Sequence, residues 1–496
     1  MIRPRLGLLR AWPAAVVVGA TVLSPGGAAA HALGQRYDLP LPLSYYVVGG
    51  GLVVLLTFVV MAVFVARPHD GNMTYSMRLA AWPADAASRR IFLAIVEILS
   101  VLAFLFLLFA GFFGFQRNPN LNILPVSIWI LWWVGLAFIS ALIGNLWDAI
   151  NPWAAIGRWA SGLLGLLAPW PKKPLLAYPK WLAAWPAFIL FAGFAWMEVA
   201  WPARIVPAEL ATAILIYSAI TWAGMAVFGR RAWLDNAEAF SLFFGTFARF
   251  AVLAGRTRDG ISEIVLRAPS VGLLDRPPLS FSRLAFILLI FSTVTFDGIS
   301  ETPFWQDIAD WLARQDAVWP ILLELSYILP GTAGVNLTLG LMCVFSTFLI
   351  VYLVFSLLID AASGHGRGMG QAAKLFVYSL VPIAIAYHLA HFLSFLLIFG
   401  QSIIPLISNP LGTGTDFFGT ADYKVNIGLI GPKFAWFSAA LAIVTGHIAA
   451  VFLAHAQALR HYPNHRSALR SQIPMLVLMV TYTMFSLWIL AQPVVK

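Results

Sequence analysis

Apolar residues in this chain gather into long unbroken blocks rather than alternating with polar ones. Ten blocks stand out, at 43–66, 91–115, 123–147, 181–201, 208–228, 283–299, 337–359, 375–400, 434–457 and 472–492. A hydrocarbon core about 30 Å thick needs about 17–25 helical residues to cross it. Backbone polar groups in lipid must be satisfied within the segment, and blocks of this length do that as helices. The pattern therefore predicts an all-α, polytopic membrane helical bundle of ten transmembrane helices. Between the blocks, 317–329 is a half-length apolar run expected to be re-entrant or interfacial. Trp233, Ala237, Phe240, Phe244, Phe247 and Ala251 recur at helical spacing and predict an amphipathic helix lying along the membrane surface. Thr302-Pro303 predicts a helix start, with the threonine as N-cap.

Composition agrees with the blocks. Of 496 residues, 60% are hydrophobic and 10% charged, and the mean hydropathy is +0.84. The net charge of +10 does not point to nucleic acid, because no basic helix carries interleaved aromatics and the charge is spread among loops. Residues 1–30 read as a signal peptide: Arg3, Arg5 and Arg10, an apolar stretch, then Ala28-Ala29-Ala30. Cleavage there would free His31, whose amine and ring are a copper-chelating pair. Residues 31–496 then form a single transmembrane domain of a bacterial inner-membrane protein. With the mature N-terminus outside, 21 of the 31 Lys and Arg fall in inner loops, which places both mature termini on the external side.

Against this lipid-facing background, polar side chains inside spans become the candidates for chemistry. His388 and His391 lie three residues apart in Leu380–Ser394, so they differ by about 60° around a helix and about 4.5 Å along it. His447 sits at matching depth in the next span, and convergence of the three would make a metal site. Three imidazoles with an open position suit a divalent transition metal, whereas two on facing helices suit haem; the other reading is histidines hydrogen-bonded between packed helices. His455 is too far along its helix to be a fourth ligand. Asp297 and Glu301, at the outer end of the sixth span, are candidate catalytic carboxylates, able to serve as general base or to complete the metal site. Asp297-Gly298 also reads as a turn signal, and Glu301 as a favourable charge at a helix start. Glu97, Asp148 and Glu198 lie at opposite ends of their spans and are not expected to form one centre. The external loop Asn409–Tyr423, rich in Gly, Thr and Asp, is either a cradle for a polar ligand or a set of turns. Met475 and Met479 are either soft copper ligands or packing. The single cysteine, Cys343, is expected to be a small core side chain.

Several segments together resemble the bacterial membrane proteins of the fenitrothion hydrolase family. They are His31–Leu43, Asn145–Trp153, Phe296–Trp305, Tyr387–His391, Asp416–Tyr423 and Gly446-His447. The resemblance runs through most of the mature chain. It implies hydrolysis of a neutral organophosphorus triester to a nitrophenol and a dialkyl thiophosphate, with an apolar small molecule as substrate and the lipid bilayer as its reservoir. The alternatives left open are a transporter or redox-linked component using the same histidines for copper, haem or protons, and a non-catalytic subunit that partners a second membrane protein.

Overall fold

The computed structural model describes residues 39–65, 76–83, 86–167, 174–274, 279–366 and 368–492. The expected signal segment, His31 and the last four residues lie outside them. The chain is an all-α multi-pass membrane protein. Among the described residues, nine helices are long and apolar enough to cross a bilayer. They are α1 (Leu43–Phe64), α2 (Ala87–Phe113), α3 (Ile123–Leu142), α6 (Pro207–Phe228), α8 (Phe281–Ser300), α10 (Gly331–Ser363), α11 (Met369–Ser408), α12 (Pro432–His461) and α13 (His465–Ala491). The fourth expected span is α5 (Trp185–Ala200), apolar but only 16 residues long. Short helices α4 (Pro152–Leu167), α7 (Ala239–Ala248) and α9 (Pro303–Ala313) complete the main elements.

Local chemistry sets the helix starts. Ser280 Oγ accepts from the Arg283 amide at 3.2 Å, and Asn464 Oδ1 from the Ser467 amide at 2.8 Å. Proline stands in the first turn of α5, α6 and α12, where a missing N–H costs nothing. Thr302 caps α9 as its sequence predicts, accepting from the Trp305 amide.

Helix α8 is the hub. Its spanning window is 89% buried, against 11% for the lipid-facing α2. Helices α11 and α12 meet closely at Gly446, where a Cβ would collide with Ala386 and the Pro382 carbonyl. The π-helical section of α3, Ser127–Gly135, places three indoles against α5 and α7.

Three expectations change. Helix α7 does not lie on the surface: Phe240, Phe243, Phe244 and Phe247, which share one face, are buried in the main core, and Leu242 on the opposite face is buried as well. Its N-terminus is capped by the buried Glu238, whose carboxylate accepts from the Phe240 and Ser241 amides at 2.9 and 2.8 Å. Cys343 is exposed on α10 rather than in the core. A small antiparallel sheet, unforeseen in the sequence, joins β1 (Met77–Pro83), β2 (Leu253–Arg258) and β3 (Ile261–Leu266) in the order β1-β3-β2. On it Glu263 accepts from Arg256 at 2.6 Å and Arg78 at 3.1 Å, and these bonds hold its carboxyl below the usual range. The apolar run at 317–329 contains an eight-residue helix, Trp319–Ser326, with only Leu322 buried.

Candidate functional site

Asp297 and His391 meet where α8 and α11 pack. Asp297 is helical, inside the last turn of α8, rather than part of a turn. His391 Nε2 lies 2.8 Å from Asp297 Oδ2, and both side chains are only partly exposed. The other ring nitrogen, Nδ1, makes no protein hydrogen bond among the described residues. Gly298 makes this approach feasible, because the Tyr387 hydroxyl occupies the space a Cβ would need. The Tyr387 ring in turn stacks on His391, centroids 6.2 Å apart.

Glu198 joins from α5. Its Oε1 accepts from Trp133 Nε1 at 2.5 Å, and Trp133 comes from the π-helical section. One turn earlier, Trp129 Nε1 donates to the Arg204 carbonyl at 2.9 Å, tying the same section to the end of α5. Asp297 is the carboxylate that touches His391, and Glu198 lines a small cavity together with it. Glu301 is exposed just beyond the end of α8, at the rim. A cavity of about 10 Å³ is lined by Glu198, Asp297, Thr293, His388 and Phe392. That is close to the space one water needs.

The three histidines expected to share a metal stand in three different surroundings. His388 is buried edge-on among Trp133, Phe247 and Phe392, with no partner for Nε2. His447 is fully buried on α12; its Nδ1 donates to the Ile443 carbonyl at 2.8 Å, and its ring centre is 6.0 Å from that of Tyr482. Among the described residues no three His, Cys, Asp or Glu are placed to hold a metal ion. Of the expected set His388, His391 and His447, His391 pairs with Asp297, while His388 and His447 make their contacts elsewhere. A histidine on α12 reaches toward α13, not toward the mouth.

Other candidates find structural roles. His455 is held between Gln472 Oε1 at 2.9 Å and the Val65 carbonyl at 2.8 Å. Glu97 pairs with Arg158. Asp148 is exposed. Met475 and Met479 are buried in the main core. The 409–423 loop is a set of turns organised by Ser408, Asn409 and Asp416, which accept from the Thr420, Thr413 and Ala421 amides.

Sequence reasoning missed Glu198 and Trp133. Glu198 was compared with Glu97 and Asp148, which lie toward the other end of the bundle. Its proper neighbour was Asp297, since α5 and α8 both end on the same side. A lone acid in Trp196-Met-Glu-Val-Ala-Trp201 was the available signal. Comparisons with known proteins add no relative: no family model, no curated protein and no solved structure matches the chain.

Proposed function

We propose that the chain is a membrane-bound hydrolase of neutral, apolar esters, organophosphorus triesters of the fenitrothion type among them, with His391 as general base. The observation that carries this reading is the His391–Asp297 pair at a partly exposed mouth, from which water can reach the imidazole. The carboxylate of Asp297 holds Nε2–H and orients the ring, leaving Nδ1 to accept a proton. A water gives that proton to Nδ1 while its oxygen bonds to phosphorus. The P–O bond to the aryl group breaks, and the aryloxide departs with the electron pair. The imidazolium formed is stabilised by Asp297, Glu198 and Glu301.

The segments that resemble the fenitrothion hydrolase family support this choice of substrate, and a neutral triester partitions into lipid, where the mouth is accessible. The Lys/Arg asymmetry supports placing the Asp297 end outside, in a bacterial inner membrane. The test is nitrophenolate release from a dialkyl nitrophenyl triester by purified protein in lipid nanodiscs. Equal release by wild type and His391→Ala would end this reading.

A second reading, a proton-linked carrier, is favoured by one observation. Below the pair, the Tyr482 hydroxyl lies 2.6 Å from Thr295 Oγ1, and Tyr387 Oη, Ser486 Oγ and His447 Nε2 are buried without partners. Buried polar groups of this kind are ordinarily bridged by internal water. Proton flux into proteoliposomes, lost in His447→Phe and independent of any ester, would move the conclusion to this reading.

A further inference from the structure

Tyr387 stands one turn before His391 on α11, and the imidazole lies against its ring, centroids 6.2 Å apart at an interplanar angle of 22°. It is fully buried, in a core cluster with Phe296 of α8, Ile443 of α12 and Ile489 of α13. Its hydroxyl reaches α8 directly over Gly298, the chain neighbour of Asp297. Through this one side chain the packing of three other helices is passed to the imidazole.

Two local costs meet there. Gly298 has ordinary helical backbone inside the last turn of α8, where alanine would be the better helix former. The Tyr387 hydroxyl is buried without a hydrogen-bond partner, where phenylalanine would leave nothing unpaired. Each is unfavourable alone, and each is explained by the other: the oxygen lies 2.4 Å from where a Gly298 Cβ would stand. Clearing that overlap would move the ring by about 1 Å, to ordinary contact. Carried to His391, such a shift exceeds what the 2.8 Å bond to Asp297 Oδ2 tolerates.

We infer that Tyr387 is a positioning residue for the Asp297–His391 pair. Its ring fixes the plane of the imidazole. Its hydroxyl, seated over Gly298, sets the height of that ring, so that Nε2 meets Asp297 and Nδ1 stays free to accept a proton. The hydroxyl takes no part in proton transfer itself: it is buried and hydrogen-bonds neither member of the pair. What matters is volume, an oxygen on one side and a missing methyl on the other. The consequence for turnover rests on the hydrolase reading; the placement of the imidazole does not.

Moving that volume from one side to the other tests the inference. Wild type, Gly298→Ala, Tyr387→Phe and the double variant are purified in nanodiscs. His391 is followed by nitrogen NMR of histidine-labelled protein, its signals assigned by their loss in His391→Ala. Wild type should show one protonated and one bare ring nitrogen, a single tautomer. Gly298→Ala should average the two nitrogens. It should also lower kcat for nitrophenolate release at least about tenfold with KM within about twofold, since a misplacement of about 1 Å can cost about 100-fold. Tyr387→Phe, which only leaves a gap, should lose about threefold. The double variant puts a methyl beside the place the oxygen vacates, 3.4 Å from the ring carbon that carried it. It should restore the single tautomer and bring kcat within about threefold of wild type. Tyr387→Leu, which removes the stacked ring, should reproduce the Gly298→Ala signal by a route that adds no clash. A double variant as impaired as Gly298→Ala would overturn the inference in favour of a hydroxyl that relays protons. The same His391 signal in all five proteins would overturn it as packing alone, and release by wild type would then leave the hydrolase reading standing. The expected signals with no release from any protein would end that reading and keep the placement.

Discussion

His388 and His391 are one turn apart on α11, yet they inhabit different chemical worlds. His391 faces the end of α8 and meets a carboxylate; His388 faces α3 and α7 and meets the edges and faces of aromatic rings. The difference comes from the neighbours rather than from the helix that carries both. Where α8 ends, its last turn holds Asp297 and the chain emerges toward water. Where α7 enters the bundle, it brings Phe243 and Phe247, which pack on the His388 ring; that ring shares a small cavity with Glu198 and Asp297 but hydrogen-bonds neither. An intramembrane histidine becomes a candidate for chemistry when it holds a charge directly, and of these two His391 does so.

The sharpest way to break this contrast is to remove the charge. Asp297→Ala should lower nitrophenolate release at least about 100-fold at equal membrane abundance, the scale of a lost general base. A drop of less than threefold would leave His391 with no more catalytic claim than His388. Glu198→Gln keeps an acceptor for Trp133 and removes one of the charges facing the imidazolium, so a smaller loss, about tenfold, is expected in the same assay. His388→Phe should change turnover by less than about threefold, because its ring contacts are aromatic already. If that variant were as inactive as Asp297→Ala, the two sides of α11 would be a single centre. The smallest effect is expected from chelation: exhaustive dialysis should leave release within about twofold, and a loss restored by added zinc would reinstate a metal on the His391 side.

Much of the architecture was readable along the chain. Block length alone placed the nine spanning helices of the described residues, with the fourth block folding as the shorter α5, and Thr302-Pro303 placed the start of α9, because helix ends and bilayer thickness are local constraints. The pairing of Asp297 with His391 required knowing that α8 and α11 touch, which hydropathy does not encode. Phe240, Phe244 and Phe247 have the spacing of an amphipathic surface helix. Leu242, on the face opposite those rings, is buried too, and only tertiary contact distinguishes a surface helix from one covered on both faces. The sheet was missed for a related reason: Met77–Pro83 and Ile261–Leu266 pair across a wide separation in sequence, and neither run is long enough to announce itself.

The π-helical section of α3 has a consequence for how such a protein could change. A π turn holds one more residue than the α turn it replaces. Deleting a single residue between Ser127 and Gly135 would let that stretch tighten to regular α-helix while the helix on either side keeps its facing, because the wide turn is what absorbs the extra residue. Within the stretch Trp129 donates to the Arg204 carbonyl and Trp133 to Glu198, so the spacing of the wide turn sets two anchors near the end of α5 at once. Tightening it would leave the bundle's outline intact and loosen the hold on Glu198.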